Sequence, residues 1–113
     1  MGTELRQKVV EFVSEAAFLT QVIDLAQALH WRAHHVRPAW SKKGWRTPIQ
    51  GDPGFPDLVL VRPPRIIYAE LKSERGRLSD EQEIWIDMLE KCHLGEIYIW
   101  KPSDWDDIVK KLR

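Results

Sequence analysis

Residues 54–82 read GFPDLVLVRPPRIIYAELKSERGRLSDEQ, and this stretch decides the fold. Two apolar runs, DLVLV (57–61) and RIIYAELK (65–72), are separated by Pro63-Pro64, a pattern that predicts an antiparallel hairpin. Asp57 opens the first run, while Glu70 and Lys72 flank Leu71 at the end of the second. Side chains two apart on a strand share a face, so Glu70 and Lys72 project together. The hairpin brings Asp57 close to both. An unpaired charge in a buried strand costs several kcal/mol, so these three residues need a reason to be there.

Two carboxylates about 4 Å apart repel by about 4 kcal/mol at an effective dielectric of about 20. A divalent cation removes that repulsion, and hard oxygen ligands of this kind suit magnesium or manganese. Lys72 beside them offsets charge, or holds a water and a phosphate oxygen. The plainer alternative is a Glu–Lys pair at a sheet edge, with Asp57 merely ending a turn. Residue types alone leave both open, because a lone E-x-K is a common pattern.

Working outward, residues 4–29 read as helix with a break near Ser14, and Phe18, Val22, Leu25 and Leu29 recur at helical spacing. WRAHHVR (31–37) reads as a short strand. Residues 38–56 hold four prolines and three glycines and read as one long loop, basic and rich in tryptophan. Downstream, Ser79 with Gln82 three residues later resembles a capping box. It opens an expected helix over about 80–92, with Ile84, Trp85, Met88, Leu89 and Cys92 as its packed side. EIYIW (96–100) is a further strand, and Ser103 is the expected cap of a last helix over about 104–112. The predicted order is α-β-β-β-α-β-α, in a single domain spanning 1–113.

Composition narrows the function classes. An apolar fraction of 43% suits a folded globule, and apolar runs of four or five residues are far too short for a membrane span. MGTELRQKVV lacks a signal-peptide apolar region, so a cytoplasmic protein is expected. The lone Cys92 rules out an internal disulfide and any multi-cysteine zinc site. His34-His35 lacks the H-E-x-x-H spacing, GDPG (51–54) lacks the lysine of a phosphate loop, and no nucleophile-elbow pattern occurs. The net charge of zero argues against a simple nucleic-acid-binding module. Yet no acidic residue lies between Asp24 and Asp52, where Arg32, Arg37, Lys42, Lys43 and Arg46 fall. Zero net charge hides a basic middle.

The chain resembles the VRR-NUC domains of the PD-(D/E)XK nuclease superfamily, especially the short stand-alone versions of phages and bacteria. The residues that carry the resemblance are Gly54-Phe55-Pro56-Asp57, Glu70-Leu71-Lys72, Gly76, Leu78, Ser79 and Gln82, and Trp100-Lys101-Pro102-Ser103-Asp104. Glu15 matches the acid that opens the family's first core helix, so the likeness runs over about residues 14–112. It implies an α/β restriction-endonuclease-like core of order αβββαβ, a mixed sheet flanked by helices.

Position by position, the resemblance implies that Asp57, Glu70 and the Leu71 carbonyl hold Mg2+ or Mn2+, with Glu15 an additional acid. It makes Lys72 the residue that orients or activates water, and Gln82 a residue facing the site from the next helix. The expected activity is metal-dependent hydrolysis of phosphodiester bonds, on branched DNA such as Holliday junctions or flaps, by a homodimer. Contact with DNA is expected from His35, Arg37, Lys42, Lys43 and Arg46, and from Arg75 and Arg77 beyond the E-L-K strand. A non-catalytic DNA-binding module of the same fold, and a restriction-type duplex endonuclease, are the competing readings.

Overall fold

The computed structural model describes residues 3–36, 39–41, 44–46 and 50–113. Two helices come first, α1 (Thr3–Glu11) and α2 (Glu15–Ala28). The expected break falls where Ser14 caps α2, its Oγ accepting the Ala17 N–H at 3.0 Å. Strands β1 (Arg32–His34), β2 (Ala39–Ser41), β3 (Gly44–Arg46), β4 (Leu58–Arg62) and β5 (Arg65–Leu71) follow. Then come α3 (Asp80–Cys92), β6 (Glu96–Trp100), a short 3-10 turn (Pro102–Asp104) and α4 (Trp105–Leu112).

The main sheet has the order β1-β4-β5-β6. Neighbours pair antiparallel except β5 and β6, which are parallel. A parallel pair needs a crossover, and α3 supplies it. The sheet is therefore mixed and flanked by helices, as the resemblance implied.

One face of this sheet makes the core. Leu58, Leu60, Ile67, Ala69, Leu71 and Trp100 are buried there against Phe18, Val22 and Ala26 of α2 and Ile108 and Leu112 of α4. Each large apolar side chain so buried stabilises the fold by roughly 2 kcal/mol. Arg62, at the end of β4, ties the two helices together by their C-termini. Its Nη1 donates to the carbonyls of Leu29 (2.8 Å) and Leu112 (3.0 Å), and its Nη2 to that of Arg113 (3.1 Å). A cation is favoured where helix carbonyls lie unpaired. The guanidinium also stacks 4.5 Å from the Trp31 ring centre, and Trp31 Nε1 donates to Leu112 at 2.8 Å.

Three expectations need correction. The segment 38–56 is not loop throughout, because β2 and β3 pair antiparallel within it, with Trp40 opposite Trp45. The residues between these strands are Lys42-Lys43, which carry none of the Asn-Gly or Gly signals of a tight hairpin. Secondly, α3 turns a different side to the sheet. Ile86 is buried, with Gln82, Trp85 and Leu89 half-buried beside it, whereas Ile84 (59%) and Met88 (61%) are exposed, as is Cys92. Polar Gln82 belongs to the inner face, which apolar periodicity alone could not register. Thirdly, Ser103 does not cap α4. Its N–H instead donates to Glu74 at 3.0 Å, and Asp104 takes the Lys101 N–H at 2.9 Å.

Among the described residues no helix is long and apolar enough to cross a membrane. Replacing Arg62 with Met removes three charged hydrogen bonds to carbonyls and is expected to lower stability by about 2–3 kcal/mol. Urea denaturation measures this, and an unchanged midpoint would refute the clamp.

Candidate active site

The site grows from the end of β5. Leu58 pairs with Ala69 across the hairpin, so Asp57, one residue earlier, lies level with Glu70. Asp57 Oδ2 accepts the Leu71 N–H at 2.9 Å, which anchors it to the strand carrying Glu70. The Lys72 N–H donates to the Trp100 carbonyl at 3.0 Å, so the β5–β6 ladder extends through Lys72 and holds its backbone extended. Lys72 Nζ lies 3.6 Å from Glu70 Oε1.

Glu70 is 1% exposed, the one buried charged or polar residue among those described. Gln82 Nε2 donates to its Oε1 at 2.9 Å. Glu70 Oε2 meets no N–H or O–H donor in hydrogen-bond geometry, and the carboxyl lies beside that of Asp57, with which it can hydrogen-bond when one of the two is protonated. Burial first, then the neighbouring Asp57 carboxylate, pushes the Glu70 carboxyl up to about 8, with Lys72 opposing.

Gln82 is fixed from two directions. In the capping box at the start of α3, its Oε1 accepts the Ser79 N–H (2.9 Å) and its own N–H donates to Ser79 Oγ (3.2 Å). The amide can therefore present only its NH2 to Glu70. Capping and site contact, two separate readings of the sequence, are one arrangement.

Gly54 joins Asp57 to this helix. It has φ +99°, and a Cβ there would lie 2.6 Å from the Glu81 carbonyl carbon and 2.8 Å from the Gln82 nitrogen. No L side chain fits both that conformation and that approach. Trp85 Nε1 donates to the Asp52 carbonyl at 3.3 Å, and Phe55 packs perpendicular to Trp85, so the loop before Asp57 rests on α3. Sequence reasoning quoted Gly54 but assigned it no role. A glycine three residues before a site acid was the available signal.

A cleft of about 610 Å³ opens beside these groups, lined by Glu15, His34, His35, Asp57 and Gln82 among others. His35 Nδ1 donates to the Asp57 carbonyl at 2.8 Å, which sets the tautomer and leaves Nε2 available. Glu15, the first residue of α2, is exposed. It stands at the cleft rim, where loss of water raises its pKa, Lys72 lowers it and Asp57 raises it again.

The donor set suits a divalent cation in one respect: two neighbouring carboxylates, one of them buried with an oxygen that meets no N–H or O–H donor. Among the described residues no three Asp, Glu, His or Cys side chains converge closely enough to hold a metal alone. Glu15 feels the charges of Lys72 and Asp57 from the cleft wall but does not complete a three-acid set with Asp57 and Glu70.

Of the expected DNA contacts, Arg37, Lys42 and Lys43 lie outside the described residues, and of Arg46 only the backbone, in β3, is described. Arg75 is exposed and pairs with Glu11 at 3.0 Å. Arg77 is exposed on the same loop.

The VRR-NUC domain model matches residues 3–98 of the 113. The chain belongs to the VRR-NUC family, a nuclease family of the PD-(D/E)XK type. No curated protein and no solved structure matches it.

A carboxyl whose folded-state pKa lies above its unfolded value binds more protons when folded, so folding weakens as pH rises between the two values. For Glu70 that window runs from 4.5 to about 8. In chelator, the parent should lose stability across this window relative to Glu70→Gln, which cannot ionise. Parallel melting curves for the two proteins would contradict the raised pKa. Gly54→Ala should lower stability by about 2 kcal/mol or more, through strain at positive φ and the clash with α3. Calorimetry reads this directly, and a neutral result would mean that the loop does not rest on the helix.

Proposed function

We propose that this VRR-NUC nuclease is a divalent-metal-dependent DNA endonuclease that cleaves branched DNA, with Asp57, Glu70, Lys72, Glu15 and Gln82 as its catalytic residues. The observation that carries the reading is the buried Glu70 carboxylate, one oxygen without an N–H or O–H donor, level with Asp57 and 3.6 Å from the Lys72 ammonium. Two ionised acids side by side, one of them buried, oppose folding through desolvation and mutual repulsion. Their pairing is explained if the two acids hold a cation.

Asp57, Glu70 and the Leu71 carbonyl would hold Mg2+ or Mn2+, with Glu15 contributing from the cleft rim. Such an ion supplies Lewis-acid charge for phosphate oxygens and makes water a nucleophile at neutral pH. Lys72 orients the attacking water and offsets the charge that grows on the phosphate, where a preset cation counts most. Gln82 keeps Glu70 Oε1 occupied and so leaves Oε2 for the site. His35 steadies Asp57 through its carbonyl.

Branched DNA as substrate rests on kinship, and on a physical argument about number. Resolving a four-way junction takes two symmetric incisions, and one chain supplies one site, so the proposed working unit is a homodimer.

Asp57→Ala and Glu70→Ala should each reduce cleavage at least about 100-fold, and Lys72→Ala should do so while binding DNA almost normally. A labelled panel of four-way junction, flap, single strand and plain duplex tests this with magnesium, manganese or chelator. Parental rates in either acid variant would sink the site. Tight binding with no cutting under any metal would make the chain a binding module.

A further inference from the structure

Phe55 is the anomaly of the site. It stands two residues before Asp57, lines the cleft, and keeps 45% of its surface exposed. Its ring is nevertheless held on two sides, perpendicular to Trp85 at 5.1 Å (86°) and to Tyr68 at 6.0 Å (89°). The buried Pro56 restricts the backbone of Phe55, and Gly54 on its other side lies close against α3. An aromatic ring fixed in this way and left partly bare offers a stacking surface that needs no ordering when a ligand arrives.

The rest of the wall suits the same kind of ligand. Leu19, Val36 and Pro56 add apolar surface, and His34 and His35 add ring nitrogens. Among the described residues no Lys or Arg lines the cleft. A flat apolar group with a hydrogen-bonding edge fits this wall, and the volume of about 610 Å³ leaves ample room for one.

We infer that the cleft is a nucleobase subsite, in which Phe55 stacks on an unpaired base flanking the phosphate attacked at Asp57 and Glu70. The inference rests on the nuclease reading and adds to it a substrate requirement. A base locked in a duplex cannot reach the ring, so the DNA must present one freed from its partner at the cleavage point, as forks and branch points do. Fully paired duplex would gain nothing from Phe55.

The probe is a forked duplex carrying 2-aminopurine at the first unpaired position, titrated with the parent protein in calcium. Stacking on Phe55 should quench the emission. Phe55→Leu, which keeps apolar bulk but removes the ring, should abolish the quench and weaken binding about tenfold or more, while Phe55→Tyr restores both. Affinity for plain duplex should stay the same in all three. Replacing the 2-aminopurine nucleotide with an abasic one should cost the parent a similar factor, which tests the subsite without any variant.

Unchanged affinity for the abasic fork, or a parental quench in Phe55→Leu, would overturn the inference. Cleavage of the same fork in magnesium is scored separately. Cutting without quenching refutes the subsite alone. Quenching without cutting upholds base stacking on Phe55 but overturns its place beside an attacked phosphate, and with it the proposed cleavage of forks.

Discussion

The structure turns on a buried carboxyl group. Glu70 sits at the end of the central strand β5 with almost no contact with water, next to a second acid. A carboxylate placed so is tolerated only if neighbours hold its oxygens or if a proton or a cation neutralises it. The surroundings supply part of that support. Lys72 arrives from two residues along the same strand, Asp57 from across the hairpin, and the Gln82 amide from the crossover helix. Each comes from a different element, so strand register, hairpin and helix position must all be correct together.

The fold separates the work of holding the chain together from that of building the site. The face covered by α2 and α4 is closed and apolar, and Arg62 clamps the C-termini of those helices. The site occupies the sheet's end and is built with charge, a positive-φ glycine and a half-bare aromatic ring. Such features weaken a fold locally, and they persist where the scaffold around them is firm. The docking of the Asp52–Asp57 loop on the first turn of α3 connects the two regions, since it fixes Asp57 and Gln82 through one contact.

Much of this could be read directly. The apolar runs, the proline pair and the capping box located β4, β5 and α3, and E-L-K with G-x-P-D singled out the acids and the lysine. Other features were misread for identifiable reasons. The inner side of α3 includes Gln82, which a search for apolar periodicity passes over in favour of Ile84 and Met88. The pairing of β2 with β3 was missed because three-residue strands are too short to show alternation and no turn residue marks their junction.

What the sequence by itself determined is the set of local choices: which segments extend, which coil, where helices begin, and which acids fall in strands. These depend on spacing along the chain and on single side chains, so they are legible without a partner. Tertiary structure alone decided which oxygen of Glu70 meets no N–H or O–H donor, that a cap residue and a site residue are the same Gln82, and that Gly54 must be bare. Those facts depend on distances between residues far apart in sequence, down to the 2.6 Å that Gly54 would leave for a Cβ against α3, and no local pattern encodes them.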